Sequence, residues 1–86
     1  MKTFSDLEFK PHPMGSGIMS RIKFDNGYGA SVVKTPYTYG GDQDLYELAV
    51  LDSNDDLTYD TPVTNDVEGY LTEEDVTKLL TQIQNL

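Results

Sequence analysis

Eighty-six residues suffice for one small domain, and a hydrophobic content of 37% is too high for a disordered chain. The absence of cysteine excludes disulfides and thiolate metal ligands and fits a cytosolic protein, and neither a signal peptide nor an apolar run approaching the ~18 residues of a membrane span is found. The formal net charge of −9 argues against nucleic acid and anionic membranes as partners.

The N-terminal residues 1–17 predict an arm or an edge strand. Pro11 and Pro13 exclude a central strand there, because proline lacks the N–H that a ladder of strands needs. Residues 7–10 are therefore expected to be extended and, with anchors such as Phe9, to cover the second face of a central strand further along the chain.

Two strands and a hairpin follow. Residues 18–25 alternate between apolar and polar side chains, which is typical of a half-buried strand. Asn26-Gly27 then predicts a two-residue type I′ turn with positive φ at both positions. Residues 30–34 return as the partner strand.

Residues 35–43 predict a loop, because Gly40 and Gly41 favour a sharp turn. Tyr37 and Tyr39 lie beside these glycines. Tyrosine gives a large contact area at low entropic cost, so the two rings indicate an aromatic contact site. Packing of the same rings back over the edge of the sheet explains them equally well.

The longest apolar run, residues 44–52, predicts the central strand. Leu45, Ala49 and Leu51 alternate with a second apolar set on the other face, so both faces need cover. Residues 53–56 then predict a polar hairpin turn. Residues 57–61 predict a short strand with Leu57 and Tyr59 facing inward.

The end of the chain, residues 72–86, predicts a helix. Thr72 is a favourable N-cap, and the three acidic residues after it complement the helix dipole. Thr72 and Asp75 also have the spacing of a weak capping box. The apolar residues at helical spacing form a single stripe: Val76, Leu79, Leu80, Ile83 and Leu86.

These elements predict an α+β fold in one domain, residues 1–86. It consists of the arm 1–17, a small antiparallel meander of about four strands within 18–61, and the C-terminal helix packed on one face.

No pattern in the sequence indicates an enzyme. His12 is the only histidine and has no nucleophile at a diagnostic spacing. Residues 52–56 resemble the start of a calcium loop, but Leu57 stands where glycine is needed and Val63 where a bidentate glutamate is needed. We therefore predict no catalytic residue, no metal ligand and no cofactor.

The acidic residues are unevenly distributed. Twelve Asp and Glu lie within residues 42–75, where there is no Lys or Arg. Such a block attracts a basic protein surface, although a solvated face that keeps the protein in solution explains it as well. The residues predicted to bind a partner are Asp42, Asp44, Asp55, Asp56, Asp66, Glu68, Glu73, Glu74, Tyr37 and Tyr39.

The chain resembles a family of small proteins encoded by tailed bacteriophages. The residues that carry the resemblance lie in 24–33, 45–51, 59–64 and 69–76. The resemblance implies expression in the cytoplasm of an infected bacterium, and it supplies no catalytic residues.

Small acidic phage proteins often bind host proteins, and some mimic the charge of nucleic acid. The leading hypothesis is therefore a non-enzymatic protein that binds and modulates a host protein such as a defence nuclease. The alternative is a homodimeric structural or virion-assembly protein, in which two sheets bury the apolar surface that one helix and a short arm leave open.

Overall fold

In the part of the chain that the structure describes, one antiparallel sheet has five strands that are neighbours in chain order, and a C-terminal helix lies on one face. The computed structural model describes residues 1–13, 15–64 and 67–86. The predicted α+β meander is confirmed, with five strands rather than about four. The elements are β1 (Lys10–Pro11), β2 (Ile18–Lys23), β3 (Gly29–Lys34), β4 (Tyr46–Leu51), β5 (Glu68–Leu71) and α1 (Glu73–Gln84).

Strand β4 has a strand on each side, and both of its faces are buried, as its apolar pattern predicts. Leu48 and Val50 are fully buried and belong to the core under the helix. On the opposite face Ala49 and Leu51 are also buried. Leu48 is opposite Val32, and Val50 is opposite Ala30, so β3 and β4 present a continuous apolar surface to α1.

The helix closes this surface. Val76, Leu80 and Ile83 are fully buried, and burial of a side chain of this size contributes about 1.5–3 kcal/mol. The predicted capping box is present: Thr72 Oγ1 accepts from the Asp75 backbone N–H at 3.1 Å, and the Asp75 carboxylate accepts from the Thr72 backbone N–H at 3.1 Å. The first turn of α1 thus has partners for backbone donors that a helix start leaves unpaired.

The hairpin between β2 and β3 is where the sequence predicts it, but the turn type is different. Gly27 has a left-handed φ of 91°, whereas Asn26 does not have positive φ. The Asn26 side chain is engaged instead: its Oδ1 accepts from the Tyr28 backbone N–H at 3.1 Å, and its Nδ2 donates to the Ile83 carbonyl at 2.9 Å. This bond ties the hairpin to the last turn of α1, whose carbonyls lack helical partners.

The prediction of a strand at residues 57–61 is wrong. Only Leu57 makes a bridge, to Leu51, and Leu57 and Tyr59 are exposed rather than inward-facing. Strand β5 takes the place beside β4 instead, because it delivers Leu71 to the core and leads directly into α1.

The arm lies on the helix face of the sheet, so its predicted position over the second face is also wrong. The Phe4 and Phe9 rings lie 5.1 and 5.5 Å from the Tyr46 ring. The Phe4 N–H donates to Thr77 Oγ1 at 3.0 Å, and this bond joins the arm to α1. The helix covers β3, β4 and β5, and space remains on the same face for the aromatic rings of the arm, which extend the core there.

Candidate partner-binding surface

The loop between β3 and β4 lies at the end of the sheet where β5 finishes and α1 begins. The register requires this, because Val33 pairs with Glu47, and Tyr46 pairs with Leu71. We call this region, residues 35–45 together with 69–74, the loop end. The residues at the start of the helix and those of the loop are therefore neighbours in space although about 30 positions separate them in the sequence.

The loop is held by its own hydrogen bonds. Thr38 Oγ1 accepts from the Thr35 backbone N–H at 3.0 Å, and Thr35 Oγ1 accepts from the Tyr37 N–H at 3.1 Å. Gly40 has a left-handed φ of 86°, and a Cβ at Gly41 would overlap the Thr35 carbonyl oxygen. The two glycines that predicted a sharp turn are therefore required by a positive φ and by a close backbone approach.

Three tyrosines are exposed at the loop end. Tyr37 is 91% exposed, Tyr39 62% and Tyr70 56%. The Tyr70 N–H donates to the Tyr39 carbonyl at 3.1 Å, and the Tyr39 Cβ lies against Gly69. Of the two explanations that the sequence leaves open for this loop, packing over the sheet applies in part to Tyr39, and an outward-facing ring applies to Tyr37.

Sequence reasoning missed Tyr70. It lies in β5, which was not predicted, and has a left-handed φ of 56° at the irregular pairing between β4 and β5. The neighbouring Gly69, where a Cβ would meet Tyr39, is the only local signal of this close contact.

Four of the predicted carboxylates lie at the loop end: Asp42, Asp44, Glu73 and Glu74. Asp44 forms an ion pair of 2.9 Å with Lys34, and Glu74 forms one of 3.6 Å with Lys78. Asp42 and Glu73 are exposed, and neither has an ion-pair partner among the residues that the structure describes. Among the described residues, these two carboxylates are therefore the ones of the loop end that are open to a cation of a partner.

Lys34 is engaged twice. Its Nζ lies 5.0 Å from the centre of the Tyr46 ring and donates to the Asp44 carboxylate. This hydrogen bond raises the pKa of Lys34 and lowers the pKa of Asp44 from their usual values. Lys34, like Lys78, is thus bound to a carboxylate of the loop end.

The other predicted carboxylates are elsewhere. Asp55 and Asp56 lie in the turn after β4, at the opposite end of the sheet from the loop end. The two ends are about 17 Å apart, because β4 advances ~3.4 Å per residue over its five residue steps. Asp55 pairs with Lys23 at 3.4 Å. Glu68 is exposed opposite Leu48, midway along β4. Asp66 lies outside the described residues.

Several carboxylates of the acidic block have a structural role. Asp52 Oδ1 accepts from the backbone N–H groups of Asn54 and Asp56, as in an Asx turn. Glu47 accepts from the Tyr39 N–H at 2.7 Å. Hydrogen bonds from Thr72 lower the pKa of Asp75. The described carboxylates of the acidic block are therefore spread over both ends of the sheet, and several of them are used in turns and caps.

The structure offers no constellation for catalysis or metal binding in the parts of the chain that it describes. His12 lines a shallow groove of about 600 Å³ with Ser16, Thr35, Tyr37 and Thr38, and none of these is acidic. No cluster of three or more His, Asp or Glu in residues 1–13, 15–64 and 67–86 has a geometry that could hold a metal ion. The described part of the chain also has no helix with the length and apolar content needed to cross a bilayer.

Comparison of the chain with protein-family models, with curated proteins and with solved structures found no match.

Proposed function

We propose that the chain is a non-enzymatic binding protein whose loop end contacts a basic surface of another protein. The observation that carries the proposal is that three exposed tyrosines lie at the same end of the sheet as Asp42 and Glu73, two exposed carboxylates without an ion pair among the described residues. Exposed aromatics anchor protein interfaces, and arginine and lysine stack on their rings while pairing with neighbouring carboxylates.

The resemblance to small proteins of tailed bacteriophages supports a more specific proposal. In it, the protein acts in the cytoplasm of an infected bacterium and modulates a host protein. A nucleic-acid enzyme of host defence is the target class, because such enzymes carry basic surfaces and the net charge of this chain is −9.

The sheet-on-sheet homodimer has less support. It was motivated by apolar surface on the second face of β4, but Ala49 and Leu51 are only 7% and 2% exposed in the single chain. Leu57, at 49%, is the exposed leucine next to this face.

The proposal is tested by two variants that remove the same charge from opposite ends of the sheet. Asp42→Asn with Glu73→Gln removes two exposed carboxylates from the loop end. Asp25→Asn with Asp56→Asn removes two from the opposite end of the sheet, residues 24–28 and 52–56, which we call the hairpin end. Two assays measure binding. The first measures the affinity for an arginine-rich peptide by fluorescence anisotropy, and the second measures affinity capture of proteins from host lysate by mass spectrometry.

We expect the loop-end variant to weaken both forms of binding and the hairpin-end variant to leave them close to wild type. Tyr37→Ala should weaken capture without unfolding the protein, because this ring is 91% exposed. If both charge variants lost binding affinity equally, net charge alone would explain the effect, and the loop end would not be a specific binding site.

A further inference from the structure

The outer edge of β2 is open along most of its length. Strand β1 pairs only with Ile18 and Met19, so none of the described residues forms a strand on the outer side of β2 from Ser20 to Lys23. The Phe24 N–H donates to the Tyr28 carbonyl across the hairpin, and backbone groups alternate between the two sides of a strand. The N–H and C=O groups of Arg21 and Lys23 therefore point outward, away from β3.

A groove of about 370 Å³ runs beside this edge. Met19, Ser20 and Arg21 line it from β2, and Glu8 and Lys10 line it from the arm and β1. Ser20 is 3% exposed, and its hydroxyl has no hydrogen-bond partner among the described residues. By the alternation of β2 the Ser20 side chain points to the core face, with Ile18 and Ile22, and away from Met19 and Arg21.

The charge beside this edge is opposite to that of the whole chain. Lys10 pairs with Met19, and Arg21 and Lys23 follow at alternate positions, so the three cations project from the same face of the sheet. They are half of the six Lys and Arg in the chain. Lys23 is bound to Asp55, but neither Lys10 nor Arg21 lies within 4.0 Å of a carboxylate of the described residues, the groove's own Glu8 included.

We propose that the open edge of β2 binds an extended acidic segment of another protein, which adds to the sheet as a further strand. The backbone groups of Arg21 and Lys23 would pair with the segment, and Lys10 and Arg21 would hold its carboxylates. A second copy of this chain does not fit the same edge through its own β2. Antiparallel pairing of two β2 edges would bring the cations of both copies together, and like charges opposite each other destabilise a sheet.

The experiment uses three labelled eight-residue peptides with the ¹⁵N-labelled protein. The first alternates Glu with Val and Thr, the second has Lys in place of Glu, and the third is the acidic peptide with alternate backbone nitrogens methylated. Binding is followed by anisotropy, and NMR gives the chemical shifts and exchange rates of the Arg21 and Lys23 amides.

We expect only the unmodified acidic peptide to bind and to protect the Arg21 and Lys23 amides from exchange. Arg21→Glu should lower its affinity about ten-fold, whereas Lys78→Glu on the helix, an equal change of charge, should have little effect. Binding that survives methylation would show that pairing of the backbone is not involved.

A failure of the acidic peptide to bind better than its lysine counterpart would overturn the proposal and leave the edge cations as protection against aggregation. Light scattering that showed β2-mediated pairing of two copies would overturn it as well. Neither result would affect the loop end, because the two sites share no residue and have opposite charge.

Discussion

Replacement of Leu48 by alanine, compared with the same replacement at Leu57, tests how the core is built. The two leucines lie in or beside β4, and the sequence predicts both to be buried, but Leu48 is fully buried and Leu57 is 49% exposed. A Leu→Ala change in a packed core costs about 2–5 kcal/mol through lost transfer free energy and the cavity that remains. At a half-exposed site with no enclosed cavity we expect less than about 1 kcal/mol.

The expected loss is large for a domain of this size. Stabilities of roughly 0.05–0.15 kcal/mol per residue give about 4–13 kcal/mol for 86 residues, so Leu48→Ala removes a substantial part of the total. Urea unfolding followed by far-UV circular dichroism measures both variants against wild type. Equal losses at the two positions, or a larger loss at Leu57, would refute the assignment of β5 in place of residues 57–61 as the strand that completes the core.

Three further predictions concern local structure. Thr72→Ala should cost about 0.5–2 kcal/mol in thermal unfolding, because the N-cap bond is lost, while Thr72→Ser should retain most of it. Gly41→Ala should cost about 1–3 kcal/mol, because its Cβ would overlap the Thr35 carbonyl, whereas Gln43→Ala in the same loop should be close to neutral. Stability should fall below about pH 4, because hydrogen bonds lower the pKa of Asp6, Asp44 and Asp75 in the folded chain. The unfolded chain then takes up protons first, and the stabilisation is lost as the pH falls through the folded values. Asp44→Asn combined with Asp75→Asn should flatten this dependence in urea unfolding measured from pH 6 to about pH 3; an unchanged slope would contradict it.

The sequence predicts those elements whose signal is local. The stripe of Val76, Leu80 and Ile83 has a helical period, and the capping box at Thr72 can be recognised from spacing alone. The apolar run of β4 is long enough to require strands on both sides, which the structure has.

The sequence does not predict β5, because its signal is not local. Glu68–Leu71 contains Gly69, and it contains Tyr70, whose φ is left-handed. It therefore lacks the apolar–polar alternation that predicts a strand. Residues 57–61 have that alternation but pair only at Leu57. The two segments compete for one edge of β4, and the outcome depends on which of them delivers a side chain to the core, which a local pattern does not encode.

The candidate surface is also set by long-range pairing. The sequence groups twelve acidic residues in one block, but the meander places Asp42 and Glu73 at one end of the sheet and Asp56 at the other. The pairing of Tyr46 with Leu71 puts Asp42 and Glu73 at the same end of the sheet, and the length of β4 separates Asp56 from them. Only the register of the strands decides this arrangement.

This division of charge separates two ways in which an acidic protein can bind a basic partner. Mimicry of nucleic acid needs carboxylates spaced along one continuous surface, and its affinity falls steeply with added salt. The affinity of a compact site with exposed tyrosines and two carboxylates that lack ion pairs depends more on the rings, because buried aromatic anchors dominate interface energies and rim charges contribute less.

The loop end is a compact site of this kind, so its affinity for a basic partner should respond more to Tyr37→Ala than to a rise in ionic strength from about 50 to 200 mM. Titration of the arginine-rich peptide at both salt concentrations, with wild type and Tyr37→Ala, measures the two effects side by side; a loss that follows salt alone would favour mimicry.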